Sequence, residues 1–564
     1  MTDQRESKPV LRIPPFPGAR SAVFGGAIAA PSAPRPPIGA VLDAVRAARV
    51  GGAYWAGQPE LPQVPYGLAC VRSAAHYAEF LHEYDASAAG AMVLWVADAF
   101  ALEPSPDGRI RIIRGEADPW HMLARASSVW TDDEDETAFI AALRGVPLRL
   151  RGGGGRFAAL ASGDAQALEQ VAERELTGTA WLDPFTGAPC STVQIIAYCA
   201  EWRRLIDANR PIAAAFGFGH WKQDTVDALL WGGGRAHTSF EAAERERLDA
   251  LPPGAPIAVW KARVPQAFLA ACEAAGRPIC EVEDGFIRSV GLGADCVPPL
   301  SIIVDPVGVH YDPACPSGLE TMLARGDFPD ALLERARQLR ALIVESRISK
   351  YEVGGAAPLP RPGGARRHIL VPGQVEDDRS VLSGGGAVRG NLDLLRRTRM
   401  AEPDAYLLYK PHPDVRAGHR KGHVPEADAL HYADAIVSDQ SISALIDMVD
   451  GVHVITSLAG FEALLRGKPV TTHGVPFYAG WGLTRDLGAV PERRGRTCTL
   501  DALVAATLLL YPRYLDPVTG LPCPPEVLIE RLKSGTRRKN TILVMLRRTQ
   551  GGLRRLLSGI GLGV

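Results

Sequence analysis

The feature that most constrains this chain is a repeated alternation of short apolar runs with helix-patterned stretches, set out on both sides of one Gly/Pro-rich linker at 354–364. Before the linker, residues 211–216, 257–260, 279–282 and 300–304 read as strands, and a long helix pattern covers about 329–349. After it come 368–371, 405–409, 435–437, 452–455 and 469–472. Short apolar runs without polar alternation suit strands buried on both faces, and helices between them are what parallel pairing needs. The pattern predicts an α/β chain with two Rossmann-like lobes facing across a cleft. Ligands in such sheets sit beyond the carboxyl ends of the strands, so chemistry is sought in the residues just after each run.

The first part of the chain carries an internal echo. Trp181-Leu182-Asp183-Pro184-Phe185-Thr186-Gly187-Ala188-Pro189-Cys190 is similar to Tyr514-Leu515-Asp516-Pro517-Val518-Thr519-Gly520-Leu521-Pro522-Cys523. Upstream, residues 139–147 are similar to 461–469 in the same order. Residues 91–96 also read as a buried strand, and a Gly-rich break follows at 151–156. The expected organisation is a disordered Pro-rich arm at 1–40, a partial, degenerate Rossmann-like repeat at 41–205, one lobe at 206–350, a second at 351–535, and a basic tail at 536–564.

Composition excludes several classes. With 62 Lys+Arg against 63 Asp+Glu there is no global field to favour nucleic acid, and no nucleic-acid partner is expected. The nine cysteines are scattered without C-x-x-C spacing, which fits reduced thiols in the cytosol better than a zinc site or disulfide scaffold. No secretory pattern opens the chain, and no run is long and apolar enough for a spanning helix. From Arg531 onward there are nine Lys/Arg and no Asp/Glu, interleaved with apolar runs. As a helix this tail could lie on an anionic leaflet; a solvated basic tail would read the same way.

Three constellations follow strands. Glu283-Asp284-Gly285-Phe286-Ile287-Arg288-Ser289 places two adjacent carboxylates after the run ending at Val282, where a nucleophile or base would stand; a turn with an Asp–Arg pair would look alike. Lys410-Pro411-His412-Pro413 fixes a cation and an imidazole in a stiff loop able to meet a phosphate. Thr456-Ser457-Leu458-Ala459-Gly460-Phe461-Glu462 opens a helix whose first-turn amides form an anion site, with Ser457 as cap and Glu462 able to accept from ribose hydroxyls; an ordinary capped helix has the same pattern. Gln374 follows another strand, and Tyr478 and Trp481 lie in a Gly-rich turn, suited to stacking on a sugar or to packing beneath the loop. P-loop, H-E-x-x-H and G-x-S-x-G motifs are absent.

Together with Gly291-Leu292-Gly293 and the run from Ser457 through Thr484, these motifs make the stretch from about Arg210 to Leu532 resemble the KpsC-type capsule polysaccharide proteins, which are β-Kdo glycosyltransferases. The resemblance implies a GT-B-like pair of Rossmann-like lobes, acceptor-side at 206–350 and CMP-sugar-binding at 351–535, preceded by the partial repeat. It implies retaining transfer of β-Kdo from CMP-Kdo to a phosphatidylglycerol-type glycolipid acceptor in capsule linker biosynthesis. The enzyme would work peripherally at the cytoplasmic face of the inner membrane, beside other capsule assembly proteins. Asp284 would be the nucleophile, Glu283 would assist it, and His412 would contact the CMP phosphate. Lys410, Pro413, Ser457, Gly460, Glu462 and Gln374 would hold the donor, and Arg288, Ser289, Tyr478 and Trp481 the sugar or acceptor. No metal and no cofactor other than the donor are implied. A departure from the family is that the first part carries no E-D-G-F and no K-P-H-P, and has Thr131-Asp132-Asp133-Glu134-Asp135-Glu136 where a phosphate would sit, so 41–205 is expected to be non-catalytic. A transferase for another CMP-ulosonic acid, or a non-catalytic polysaccharide assembly or export component, are the alternatives.

Overall fold

The computed structural model describes residues 8–20, 24–26, 36–83, 90–97, 109–287, 297–347, 359–418 and 420–535. The chain divides into two compact units, one of residues 1–211 with 230–238, the other of 212–229 with 239–564. The first boundary therefore falls a few residues beyond the one expected at 205.

The first unit is built on five strands, all parallel, in the order Ile110–Arg114, Ala91–Val96, Tyr66–Val71, Ala126–Asp132, Leu148–Arg151. Counted along the chain this is 3-2-1-4-5, the doubly wound order. Between the fourth and fifth strands the helix Thr137–Leu143 buries Phe139 and Ile140 and ends at Gly145, whose φ of 68° lets the chain reverse. A small antiparallel sheet pairs Ala180–Leu182 with Pro189–Cys190 and with Gly25–Gly26.

The Pro-rich segment departs from the expected disordered arm. Val10, Leu11, Phe16 and Phe24 are buried. Phe16 meets Trp202 and Trp231 edge-on at 6.1 and 5.1 Å, and Phe24 meets Trp181 at 5.7 Å. Prolines hold such a strap extended at low entropic cost, and its few large apolar residues are enough to seat it. The remainder of 1–40, at 1–7, 21–23 and 27–35, lies outside the described residues.

The second unit holds two sheets. One has six parallel strands in the order Ala435–Ile436, Tyr406–Lys410, His368–Pro372, Gly451–Val454, Val470–Thr472, Arg485–Asp486, or 3-2-1-4-5-6. Its central strands are buried on both faces, as their unbroken apolar runs require. The helix Leu458–Leu465 fills the place that Thr137–Leu143 holds in the first unit, and ends at Gly467, again with φ of 68°.

The other sheet runs Phe240–Glu241, Ala214–Phe216, Ile257–Val259, Ile279–Asp284, Ser301–Asp305, Pro512–Leu515, Pro522–Cys523. Its first four strands are parallel, and the rest join antiparallel. Two expectations change here. The run near 300 is an antiparallel neighbour, not a further parallel strand. Residues 512–523 return to this first sheet, so 351–535 does not make one lobe by itself. Return is favoured because Tyr514 and Leu515 are apolar and the outer edge of Ser301–Asp305 is otherwise an open row of amides. The turn of this hairpin is closed by Asp516, which accepts from Val518 N at 3.1 Å; Asp183 accepts from Phe185 N at 2.9 Å in the matching hairpin of the first unit.

Candidate active site

The carboxylate pair lies within a strand, not in the turn after it. Pairing with Ser301–Asp305 carries the ladder two residues past Val282, opposing Glu283 to Ile303 and Asp284 to Ile302. Alternation then sends Glu281 and Glu283 to one face and Asp284 to the other. Glu281 is buried, with Lys261 Nζ 2.5 Å away and Tyr311 Oη donating at 3.2 Å. Burial, and next the charge of Asp284, push the Glu283 carboxyl up to about 8; Glu281 and Asp378 add to this, and Lys222 opposes it. Asp284 lies with Oδ1 3.7 Å from the Lys222 ammonium. The pair thus divides: one carboxyl held protonated near neutral pH, the other beside a cation.

Across from this strand end stand the loops of the six-stranded sheet. His412 caps the turn Pro413–Arg416, its Nδ1 accepting from Asp414 N at 3.2 Å. With Nδ1 an acceptor, the neutral ring carries its proton on Nε2, a donor suited to a phosphate oxygen. Pro413 is the first residue of that turn and sets its start. Ser457 caps Leu458–Leu465, its Oγ accepting from Ala459 N at 3.2 Å.

The other predicted donor-site residues make the following contacts. Gln374 is buried and ties two strand ends together: its amide donates to Thr456 Oγ1 at 3.1 Å and accepts from Thr456 N at 2.9 Å. It fixes the start of the helix that Ser457 caps. Lys410 is buried, with its ammonium 2.6 Å from Gln440 O. Gly460 leaves room for the Tyr478 ring, whose hydroxyl a Cβ at that position would strike. Glu462 is buried in the same helix. Tyr478 and Trp481 are fully buried, Tyr478 Oη donating to Ser457 O at 2.5 Å and Trp481 Nε1 to Phe477 O at 2.9 Å. Stacking on a sugar is therefore corrected to packing beneath the loop. Arg288, Ser289 and the whole tail at 536–564 lie outside the described residues.

Contacts within the unit bring the two strand-end sets together. Phe286, two residues past Asp284, packs on Phe477 at 4.8 Å and Phe461 at 6.3 Å. Arg379 reaches Lys261 O at 3.4 Å, and Asp378 is close enough to raise the Glu283 carboxyl. Gly384 sits against both Tyr311 O and Thr456, and Gly373 against His412 N. Glu283, Asp284, His412 and Ser457 thus border neighbouring loops of one unit.

Sequence reading passed over Lys222, Glu281, Tyr311 and Arg379. The first had a signal: Phe216-Gly217-Phe218-Gly219-His220-Trp221-Lys222 follows a strand and opens the helix His220–Leu230. Gly217, at φ of 84°, lies so close to Trp260 that a Cβ would sit 2.8 Å from its carbonyl oxygen.

The profile of the family described as Capsule polysaccharide biosynthesis protein matches residues 257–514, which include this site. Lipopolysaccharide-processing protein LpsZ of Rhizobium meliloti is 41% identical over 313 residues, covering 54% of this chain and 70% of LpsZ. The chain belongs to the KpsC-type capsule polysaccharide biosynthesis family. Capsule polysaccharide modification protein LipA of Neisseria meningitidis serogroup A is 40% identical over 352 residues, 62% of this chain and 50% of LipA. This family member thus spans about half the length of LipA. A solved KpsC structure from Thermosulfurimonas dismutans, described as a beta Kdo 2,7 transferase, is 34% identical over 57% of this chain and 99% of that one, with a TM-score of 0.46. No helix among the described residues is long and apolar enough to cross a membrane.

Proposed function

We propose that this family member is a retaining β-Kdo glycosyltransferase. It takes Kdo from CMP-Kdo and passes it to a phosphatidylglycerol-type glycolipid in capsule linker biosynthesis, working against the inner membrane. The two sheets of the second unit act as a GT-B-like pair, and the first unit is a partial repeat that does no chemistry. The single observation that carries the reading is the divided pair, Asp284 beside a buried lysine and Glu283 with its carboxyl raised to about 8.

In the first step an Asp284 oxygen bonds to the anomeric carbon, and the bond to CMP breaks with its electron pair leaving on the phosphate. His412 Nε2 and the amides at the start of Leu458–Leu465 meet that charge. In the second step the acceptor hydroxyl attacks the same carbon, displaces Asp284, and gives its proton to Glu283. Two inversions return the original configuration. The timing follows from electrostatics. Once Asp284 is an ester its charge is gone, and the second-largest influence raising the Glu283 carboxyl goes with it. The Glu283 carboxyl is then a stronger acid; it passes its proton to solvent as CMP leaves, and the carboxylate that remains takes the proton of the acceptor hydroxyl.

Intact-protein mass after exposure to CMP-Kdo tests this. A gain of one Kdo that maps to Asp284, absent in Asp284→Ala, is expected. Kdo transfer surviving in Asp284→Ala would overturn the assignment.

A further inference from the structure

Glu281, Glu283 and Asp284 stand in one strand, and cations reach it from both sides. Asp284 lies beside Lys222, and Glu281 lies beside Lys261 with Nζ to Oε2 at 2.5 Å. Glu281 and Glu283 are two residues apart on the same face, so their side chains are neighbours. The register explains which of the two meets Lys261. Val259 is paired with Glu281 in the parallel ladder, and Lys261 comes two residues later, in the turn Lys261–Arg263. Trp260, between them, meets Lys222 instead, whose Nζ is 3.0 Å from its ring centroid. Tyr311 Oη donates to the other oxygen of Glu281 at 3.2 Å, so both oxygens of that carboxylate are engaged. Asp305, opposite Glu281 across the antiparallel ladder, accepts from the amides of Val307, Gly308 and Gly318 and from Tyr511 Oη. From the facing loop come Asp378, whose charge reaches Glu283, and Arg379, which donates to Lys261 O at 3.4 Å.

We propose that Lys261 is a positioning residue for the proton of this strand: by binding Glu281 it settles negative charge there and leaves the proton to Glu283, next to the nucleophile. The use made of that proton rests on the transferase reading above. A neutral Glu283 adds no second negative charge beside Asp284 when an anionic donor arrives. Neighbouring carboxyls on one face titrate as a coupled pair, and a cation held against one member sends the proton to the other. Without Lys261 the order reverses. Glu281 is the more buried of the two, and burial disfavours the charged form, so it then takes the proton and Glu283 ionises.

Stability against pH reads where the proton sits. The Glu283 carboxyl is pushed from 4.5 to about 8, burial first and Asp284 second. The folded chain therefore keeps a proton that the unfolded chain releases, and stability falls as pH rises toward 8. Urea midpoints from about pH 5 to pH 8 are compared for Glu283→Gln and Glu281→Gln, each in chains with Lys261 and with Lys261→Met. With Lys261 present, Glu283→Gln should remove most of the fall and Glu281→Gln little of it. In the Lys261→Met chains the two should exchange. Removal of the fall by Glu283→Gln in both backgrounds overturns the proposal. Should the Met chains not fold, Lys261→Arg decides: the lysine-chain pattern there supports the role, and any other pattern overturns it. No donor is used, so this outcome is separate from that of the transferase reading, which fails if CMP-Kdo leaves no adduct on Asp284.

Discussion

Replacing Glu283 with Gln separates the two carboxylates in a way that can be measured. Gln has the shape of the protonated acid and does not titrate. In the folded chain the Glu283 carboxyl is pushed from an ordinary 4.5 to about 8, burial first and Asp284 second. Below pH 4.5 both folded and unfolded chains hold the proton, and the site costs nothing. Above it the unfolded chain releases the proton while the folded chain keeps it, so stability is lost as pH rises toward 8. The slope is about 1.4 kcal/mol per pH unit at its steepest, which sums to roughly 3.5 kcal/mol between pH 5 and pH 8. Urea midpoints of the wild-type and Glu283→Gln chains, taken at half-unit steps across that window, read it directly. The Gln chain should gain on the wild type steadily from pH 5 to pH 8. Parallel curves would show that Glu283 ionises normally, and the proposed division of labour with Asp284 would fall.

Other perturbations report on neighbouring residues. Lys222→Met removes the cation that lowers the Glu283 carboxyl, so the same stability loss should extend to higher pH, seen as a displaced pH–midpoint curve. Trp481→Ala should cost about 3–5 kcal/mol in chemical unfolding, because the fully buried indole packs beneath the loop; a loss of acceptor affinity without loss of stability would contradict that. Gly460→Ala should cost about 1–3 kcal/mol by pressing on the Tyr478 hydroxyl, and Gly460→Ala with Tyr478→Phe should recover part of it in a double-mutant cycle. Asp516→Ala should lower the thermal midpoint sharply, since the carboxylate accepts from Val518 N and from Arg531 Nε at 2.9 Å, and the arginine would be left partly buried without it.

Much of the architecture was legible in the sequence because parallel strands buried on both faces must be apolar along their length. The runs at 91–96, 368–371 and 452–455 therefore mark strands at nearly their observed bounds. Capping is similarly local: Ser457 shows itself by type and position and does cap its helix, whereas the cap made by His412 appears only in the structure. The echo between the hairpins at 181–190 and 514–523 is visible because a D-P-x-T-G turn needs those residues at those places.

What the sequence could not hold is who stands beside whom. Glu283 and Asp284 look like a turn until an antiparallel neighbour, Ser301–Asp305, extends their strand. Aromatics at 478 and 481 suit stacking and burial equally, and only packing density decides between them. The Pro-rich arm has the composition of a disordered segment, yet Phe16 and Phe24 find tryptophans from Trp181 to Trp231. Above all, Lys222 and Asp284 meet because two parallel strands place their carboxyl ends together. Sequence by itself determined the periodic and capped elements, since those depend on bonds between near neighbours. The tertiary structure alone decided burial and charge pairing, since field and hydration at a residue are set by whatever the rest of the chain brings to it.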